Sequence, residues 1–231
     1  MSEDKKREDE IKKQIAYDII FGGQIGEILK RWRLAFEIKQ TELAKFLKMK
    51  QSVISDVENN KRKNPGIKFV KKYIDALIEI DRLRDYKIIR RYTEILSSEY
   101  FERRNFYNSI TIRELIKLLD AKVYGYSENL DTKIYGYTIV DSIRVILNLA
   151  LEDFLLLYGG IADRAMIFLG VSTGRSPMVV IRVAPVKPKV VVFLNLENVD
   201  PLAIKIAERE KIPILVTNME LSKIKEILEK I

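Results

Sequence analysis

Cysteine and histidine are both absent from this 231-residue chain. Without cysteine there is no disulfide framework and no thiolate metal site. Without histidine the usual metal ligand and the usual general base near neutral pH are missing. Metal-dependent and histidine-based catalysis are therefore disfavoured, while carboxylate or lysine chemistry stays open. Long apolar runs are lacking too, none approaching the roughly 18–20 residues of a membrane span. The opening MSEDKKREDEIKKQ mixes charges and has no apolar stretch of the signal-peptide kind. Gly-x-Gly-x-x-Gly after a strand, a phosphate-loop motif and a nucleophile elbow are also missing. The expectation is a soluble cytoplasmic protein that is not an enzyme, with no cofactor, no bound metal and no membrane partner.

What is present is a globular composition, with 47% apolar and 32% charged residues. The length suits two ordinary domains or one large one. Abundant Lys, Glu and Ile with no Cys suggest a thermophile source. The net charge of +8 is unevenly placed. Residues 26–80 hold 13 Lys and Arg against 7 Asp and Glu, whereas residues 121–231 hold 14 against 13. A basic module joined to a near-neutral one is the pattern of a polyanion-binding domain with a partner domain.

Apolar spacing predicts helices over most of residues 9–36, broken at Gly22-Gly23. Two short helices follow, KQTELAKFL with Leu43, Ala44 and Leu47 inward, and QSVISDVEN with Val53, Ile54 and Val57 inward. Another helix starts near Ile67. Residues 81–104 read as further helix through Leu83, Tyr86, Ile89, Tyr92, Leu96 and Tyr100, with a break at Asn105–Asn108. Thr111 and Glu114 have capping-box spacing at the head of the next helix. After that the character changes. KIYGYTI reads as a strand, and Asp141 as the cap of a helix through Ile143, Val145, Ile146 and Leu149. AMIFLGV and MVVIRV around STGRSP read as a hairpin. VVVFL suits a buried strand. A helix from about Pro201 to Lys211, the strand ILV and a last helix from about Glu220 complete a βα pattern with a parallel pair.

The two short helices, the second polar outside, form a helix-turn-helix candidate. A major groove accepts one such helix, and its base edges present donors and acceptors. Gln51 suits an adenine edge, Ser52 and Ser55 can donate or accept, and Asp56 can accept from a cytosine amino group. Lys50 can reach a phosphate or a guanine. Gln40, opening the preceding helix, suits a phosphate. Lys61, Arg62 and Lys63 are placed to hold the DNA backbone beyond the second helix. Each feature alone also fits a plain solvated surface. Residues 28–66, ILKRWRLAFEIKQTELAKFLKMKQSVISDVENNKRKNPG, resemble the Cro/phage-repressor (XRE-like) helix-turn-helix domain. Arg33, Gln40, Leu43-Ala44, Ile54-Ser55, Glu58-Asn59 and the basic run to Pro65 carry the resemblance. It implies a five-helix domain, base contacts at Lys50, Gln51, Ser52 and Asp56, and an internal ion pair between Arg33 and Glu58. The family usually has glycine where this chain has Asn60, a residue that also tolerates left-handed backbone.

In the second half the one local candidate is Ser172-Thr173-Gly174-Arg175-Ser176. Its glycine lets backbone amides converge, its hydroxyls can donate, and its arginine offers a fork to an anionic small-molecule effector. The plain alternative is a hairpin turn with a solvent-facing arginine. Asp163-Arg164 reads as a local ion pair, and Tyr135, Tyr137 and Phe154 as core rather than a stacking platform. The segment from Lys187 to Leu228 is loosely similar to the small α/β domains of DRTGG-motif proteins and of the HPr kinase N-terminus, through Ala207, Ile212-Pro213 and Thr217. The whole chain also resembles predicted archaeal regulators that join this helix-turn-helix to an α/β domain.

The fold class expected is α plus α/β, with a small mixed-sheet domain at the C-terminal end. The divisions are a helical extension (1–24), the helix-turn-helix domain (25–80), a helical connector (81–120) and an α/β dimerisation or sensor domain (121–231). The function expected is a sequence-specific transcriptional regulator binding double-stranded DNA as a homodimer. The rivals are a factor bridging the transcription machinery through protein contacts and a small-molecule-binding enzyme that controls its own gene.

Overall fold

A computed structural model describes residues 3–96, 100–148, 163–184 and 186–231. The described residues fall into two compact units, one reaching to residue 96 and the other starting at residue 100. None of the described helices is long and apolar enough to cross a membrane.

The first unit is all helical: α1 (Glu3–Phe21), α2 (Ile25–Ala35), α3 (Gln40–Phe46), α4 (Gln51–Glu58), α5 (Ile67–Leu83) and α6 (Lys87–Leu96). Helices of seven and eight residues, as α3 and α4 are, do not hold by themselves in water. Packing holds these two. Leu43 and Ala44 of α3 and Ile54 and Val57 of α4 are buried with Ile28, Leu29 and Trp32 of α2 and Val70, Tyr73 and Leu77 of α5. Each large apolar side chain so buried contributes about 1.5–3 kcal/mol, which outweighs a weak helix propensity. Trp32 is buried in this core and meets the edge of Tyr92 at 5.4 Å between centroids.

The N-terminal helix α1 is built into this unit. Ile11 and Ile15 are fully buried. Asp18 accepts from the Trp32 indole at 2.9 Å, Glu8 takes the Arg82 guanidinium, and Asp4 takes that of Arg90. Between α5 and α6 the chain turns through Asp85 and Tyr86, both left-handed. Asp81 caps α6, accepting from the Ile88 and Ile89 amides at 3.0 and 2.9 Å.

The second unit carries a six-stranded sheet in the order β1-β3-β4-β5-β6-β2. The strands are β1 (Phe101–Thr111), β2 (Lys122–Tyr124), β3 (Lys133–Asp141), β4 (Ala165–Leu169), β5 (Val190–Leu194) and β6 (Ile214–Thr217). Strands β3 to β6 run parallel, and β1 and β2 close the edges antiparallel. The helices are α7 (Ile112–Leu118), α8 (Ser142–Asn148), α9 (Arg175–Val183), α10 (Pro201–Glu210) and α11 (Leu221–Leu228). One sheet face packs on α8, α9 and α10 through Val145, Met178, Ile181, Ala203, Ile206 and Ala207. The other packs on α7 and α11 through Ile112, Leu115, Ile224 and Leu228. A sheet covered on both faces explains why VVVFL is apolar at every position.

Three expectations are corrected here. The helix expected to run to residue 104 ends earlier, and 101–111 is a strand. Its partner β3 lies some thirty residues on, so local periodicity carries no trace of the pairing. The expected hairpin around STGRSP is also absent. AMIFL is strand β4, but MVVIRV belongs to α9, where Met178 and Ile181 face the core. A short β-branched apolar run is ambiguous between strand and buried helix. The capping box at Thr111 and Glu114 is present in both directions, at 3.1 and 2.7 Å. Asp141 accepts from the Arg144 amide at the head of α8, while Leu149 and Phe154 lie outside the described residues. Asp163 pairs with Lys189 rather than with Arg164, which is buried and donates to the Tyr137 carbonyl and Asn105. Tyr137 is core as expected.

Candidate nucleic-acid interface

The turn between α3 and α4 is fixed by backbone geometry. Lys48 is left-handed, its amide donates to the Lys45 carbonyl, and the Met49 amide donates to Ala44 at 2.9 Å. This paired closure ends α3 in one residue and launches α4 in a new direction. The same closure ends α2, with Glu37 left-handed and the Ile38 amide on Arg33. At the end of α4 the left-handed residue is Asn60. Its side chain accepts from the Gly26 amide at 3.1 Å, a bond that glycine at position 60 could not make. Gly26 lies so close to α4 that a Cβ there would stand 1.9 Å from the Val57 carbonyl oxygen.

Beneath α4 lies a buried ion pair. The Arg33 fork donates to both Glu58 oxygens at 2.7 Å and to the Ile38 carbonyl at 2.6 Å. Gln40 and the Tyr73 hydroxyl also donate to Glu58, at 2.8 and 2.7 Å. Burial pushes the Glu58 carboxyl up, but the Arg33, Gln40 and Tyr73 donors together outweigh it and hold the group below its usual value. For Arg33, burial opposes the charge and Glu58 more than restores it. Burial, then the neighbouring Glu58 charge, raises the Tyr73 hydroxyl well above its usual value. The Arg33–Glu58 pair follows the resemblance; the Tyr73 and Ile38 contributions carried no sequence signal.

This pair sets the position of the outer face. Gln40 bridges inside to outside, since its carbonyl accepts from Gln51 at 2.9 Å while its amide holds Glu58. Gln51 and Ser52, at the first turn of α4, are exposed, and Ser55 and Asp56 are half-exposed. Lys50, the residue before α4, is exposed and extended. Lys61, Arg62 and Lys63 are all exposed just beyond the far end. Lys61 stands 3.6 Å from Asp56, so the one acid on this face has a cation beside it. Among the nine candidate residues only Gln40 is committed inward.

The Ser172–Ser176 segment is a second, separate locus. It is the loop from β4 into the N-terminus of α9, with Gly174 left-handed at the cap position. A Cβ on Gly174 would meet the Phe193 ring at 2.7 Å. Ser172, Thr173, Arg175 and Ser176 are exposed. The Arg175 fork is held by Asp200, at 2.7 and 2.8 Å, so it does not stand open as the sequence implied.

The helix-turn-helix family model HTH_3 matches residues 29–79. An uncharacterized HTH-type transcriptional regulator of Methanocaldococcus jannaschii is 41% identical over 221 residues, 93% of this chain and 90% of that protein. One from Archaeoglobus fulgidus is 39% identical over 225 residues, 95% of this chain and 96% of its own length. No solved structure is a significant match. Identity at this level over nearly the full length, with the helix-turn-helix geometry in place, means that the chain belongs to this family of archaeal HTH-type transcriptional regulators.

Proposed function

We propose that the protein is a sequence-specific DNA-binding regulator that reads the major groove with α4. The single observation that supports this most is a set of exposed polar side chains at the start of α4, clamped from beneath by a buried ion pair. Rigid support of this kind is what a readout surface needs, because a contact misplaced by an ångström is lost. Gln51 and Ser52 address base edges, and Lys50, Lys61, Arg62 and Lys63 address phosphates. Ser55 and Asp56 lie deeper along the same face. Asp56 excludes wrong placements by repelling phosphate, with Lys61 limiting the cost. Gln40 orients Gln51 through their mutual hydrogen bond. The protein acts as a homodimer, since one module of this size reads few base pairs and two-fold proteins match two-fold sites.

The test is selection of preferred sequences from a random DNA pool, followed by binding of variants. Gln51→Ala should relax preference at one position and cost about 1–3 kcal/mol on the selected site. Lys61→Ala should weaken all sequences alike and reduce the slope of log affinity against log salt by about one. Unchanged binding of the selected site by Gln51→Ala would remove α4 from the groove. A pool that yields no preferred sequence would favour a bridging role through protein contacts instead.

A further inference from the structure

The carboxyl ends of β3 and β4 lie side by side because the two strands pair in parallel, Asp141 opposite Leu169. The residues just after them line one cavity of about 140 Å3: Ser142 and Ile143 from the β3 side, Gly170 to Pro177 from the β4 side. Ligands of parallel α/β sheets gather at this end of the strands, where helix N-termini and loop amides converge.

Ser142 is the residue that gives this cavity a purpose. It is 6% exposed, and its hydroxyl has no hydrogen-bond partner among the described residues. A buried hydroxyl left unpaired is costly and is normally satisfied by protein, water or ligand. Around it the cavity offers donors. The hydroxyls of Ser172, Thr173 and Ser176 stand on the loop, and the amides of residues 172–176 donate to no acceptor among the described residues. Helix α9 begins at Arg175 and runs nine residues, so the positive end of its dipole faces the same space. Two carboxylates are near, and both are already engaged. Asp141 holds the Arg144 amide and lies 3.4 Å from its guanidinium, and Asp200 holds Arg175 and the Leu202 amide.

We propose that this cavity binds the phosphoryl group of a small phosphomonoester. Hydroxyl and amide donors make up its polar lining and the two carboxylates nearby are already paired, which favours an anion. A phosphoryl group presents three strong acceptor oxygens, enough to occupy Ser142, the loop hydroxyls and the α9 amides together. Its size matches the cavity, which is too small for a nucleoside. The remainder of the ligand therefore lies outside, over the exposed side of the loop. Ser142 is the discriminating donor, because its hydroxyl has no other partner among the described residues.

The experiment uses the full chain without DNA, so its outcome is independent of operator binding. Inorganic phosphate, glycerol 3-phosphate and acetate are titrated by calorimetry, with thermal unfolding in parallel. The expected result is binding of both phosphates with a dissociation constant below about 10 mM, with acetate at least about tenfold weaker. Ser142→Ala should weaken phosphate about tenfold, while the unfolding temperature without ligand stays the same or rises, because no hydrogen bond to a described residue is lost. Ser176→Ala, at an exposed position, should also weaken phosphate without unfolding the chain. Equal binding of acetate would overturn the phosphoryl assignment. Absence of phosphate binding at about 10 mM, or undiminished binding by both variants, would overturn the site itself.

Discussion

At the scale of single residues, Glu58 carries more than any other side chain of the helical unit. Four donor groups converge on its two oxygens, and it is 1% exposed. Removing one partner of a buried pair leaves the other charge stranded, so Glu58→Ala should cost about 3–5 kcal/mol by urea unfolding. The carboxyl is held below its usual value, and the sign follows. Its contribution is complete above the unfolded glutamate value of about 4.3 and is lost as pH falls through the lower folded value. Asp81 opposes this. Burial raises it despite the Ile88 and Ile89 amides, so its contribution is greatest at low pH and declines as pH rises through its raised value. Glu58→Gln should therefore flatten the acid limb of the stability curve, measured as urea midpoints between roughly pH 5 and 2. Gly26 is constrained differently. A methyl group there would overlap the Val57 carbonyl, so Gly26→Ala should destabilise by about 1–3 kcal/mol or more and push α4 off α2.

At the scale of elements, the uncapped start of α4 offers a test that can separate folding from DNA binding. Lys50 sits at the cap position with extended backbone and makes no side-chain cap bond. A serine there would supply the missing acceptor to an α4 amide. Lys50→Ser should raise stability by about 0.5–2 kcal/mol and at the same time weaken DNA binding, read as a higher urea midpoint with a lower operator affinity. A lysine at this position forgoes the cap bond but places a cation at the head of α4, within reach of a phosphate if α4 enters the groove. Unchanged DNA affinity in Lys50→Ser would show that this lysine only happens to be there. In the second unit β1 is a sheet edge of eleven residues with an irregular register between Asn105 and Ile110, and Glu102, Arg103 and Arg104 lie along it. Irregularity and charge are what keep such an edge from recruiting further strands.

At the scale of the whole chain, charge placement sets how binding depends on salt. Residues 26–80 carry +6 of the total +8. If Lys50, Lys61, Arg62 and Lys63 each neutralise one phosphate in both copies of a dimer, log affinity should fall against log salt with a slope of about −7. A single copy on DNA would give about half of that. Sedimentation at micromolar concentration should show about twice the 26.9 kDa chain mass, and a chain that stays monomeric on its selected DNA would remove the dimer. The two measurements are independent, so agreement between slope and mass tests the stoichiometry from both sides.

Local chemistry, taken together with the family resemblance, made the helix-turn-helix legible. Leu43, Ala44, Ile54 and Val57 are spaced for two short helices, Gln51 and Ser52 fall outside that apolar face, and the basic run follows in line. All of these relations span fewer than twenty residues, which is the range over which periodicity and turn chemistry act. The same holds for the capping box at Thr111 and for VVVFL, whose apolar positions are explained by burial on both faces. The tertiary structure alone decided the rest. Phe101–Thr111 is a strand because β3 pairs with it, and nothing in its own pattern alternates cleanly. Arg175–Val183 is a helix because Gly174 turns left-handed against Phe193 and Met178 and Ile181 reach the core, although its β-branched residues suit a strand equally well. Ser142 lies beside Ser172–Ser176 only through the parallel pairing of β3 and β4. Thirty residues separate them in sequence, and strand pairing between distant segments depends on the packing of the whole sheet rather than on either segment's own composition.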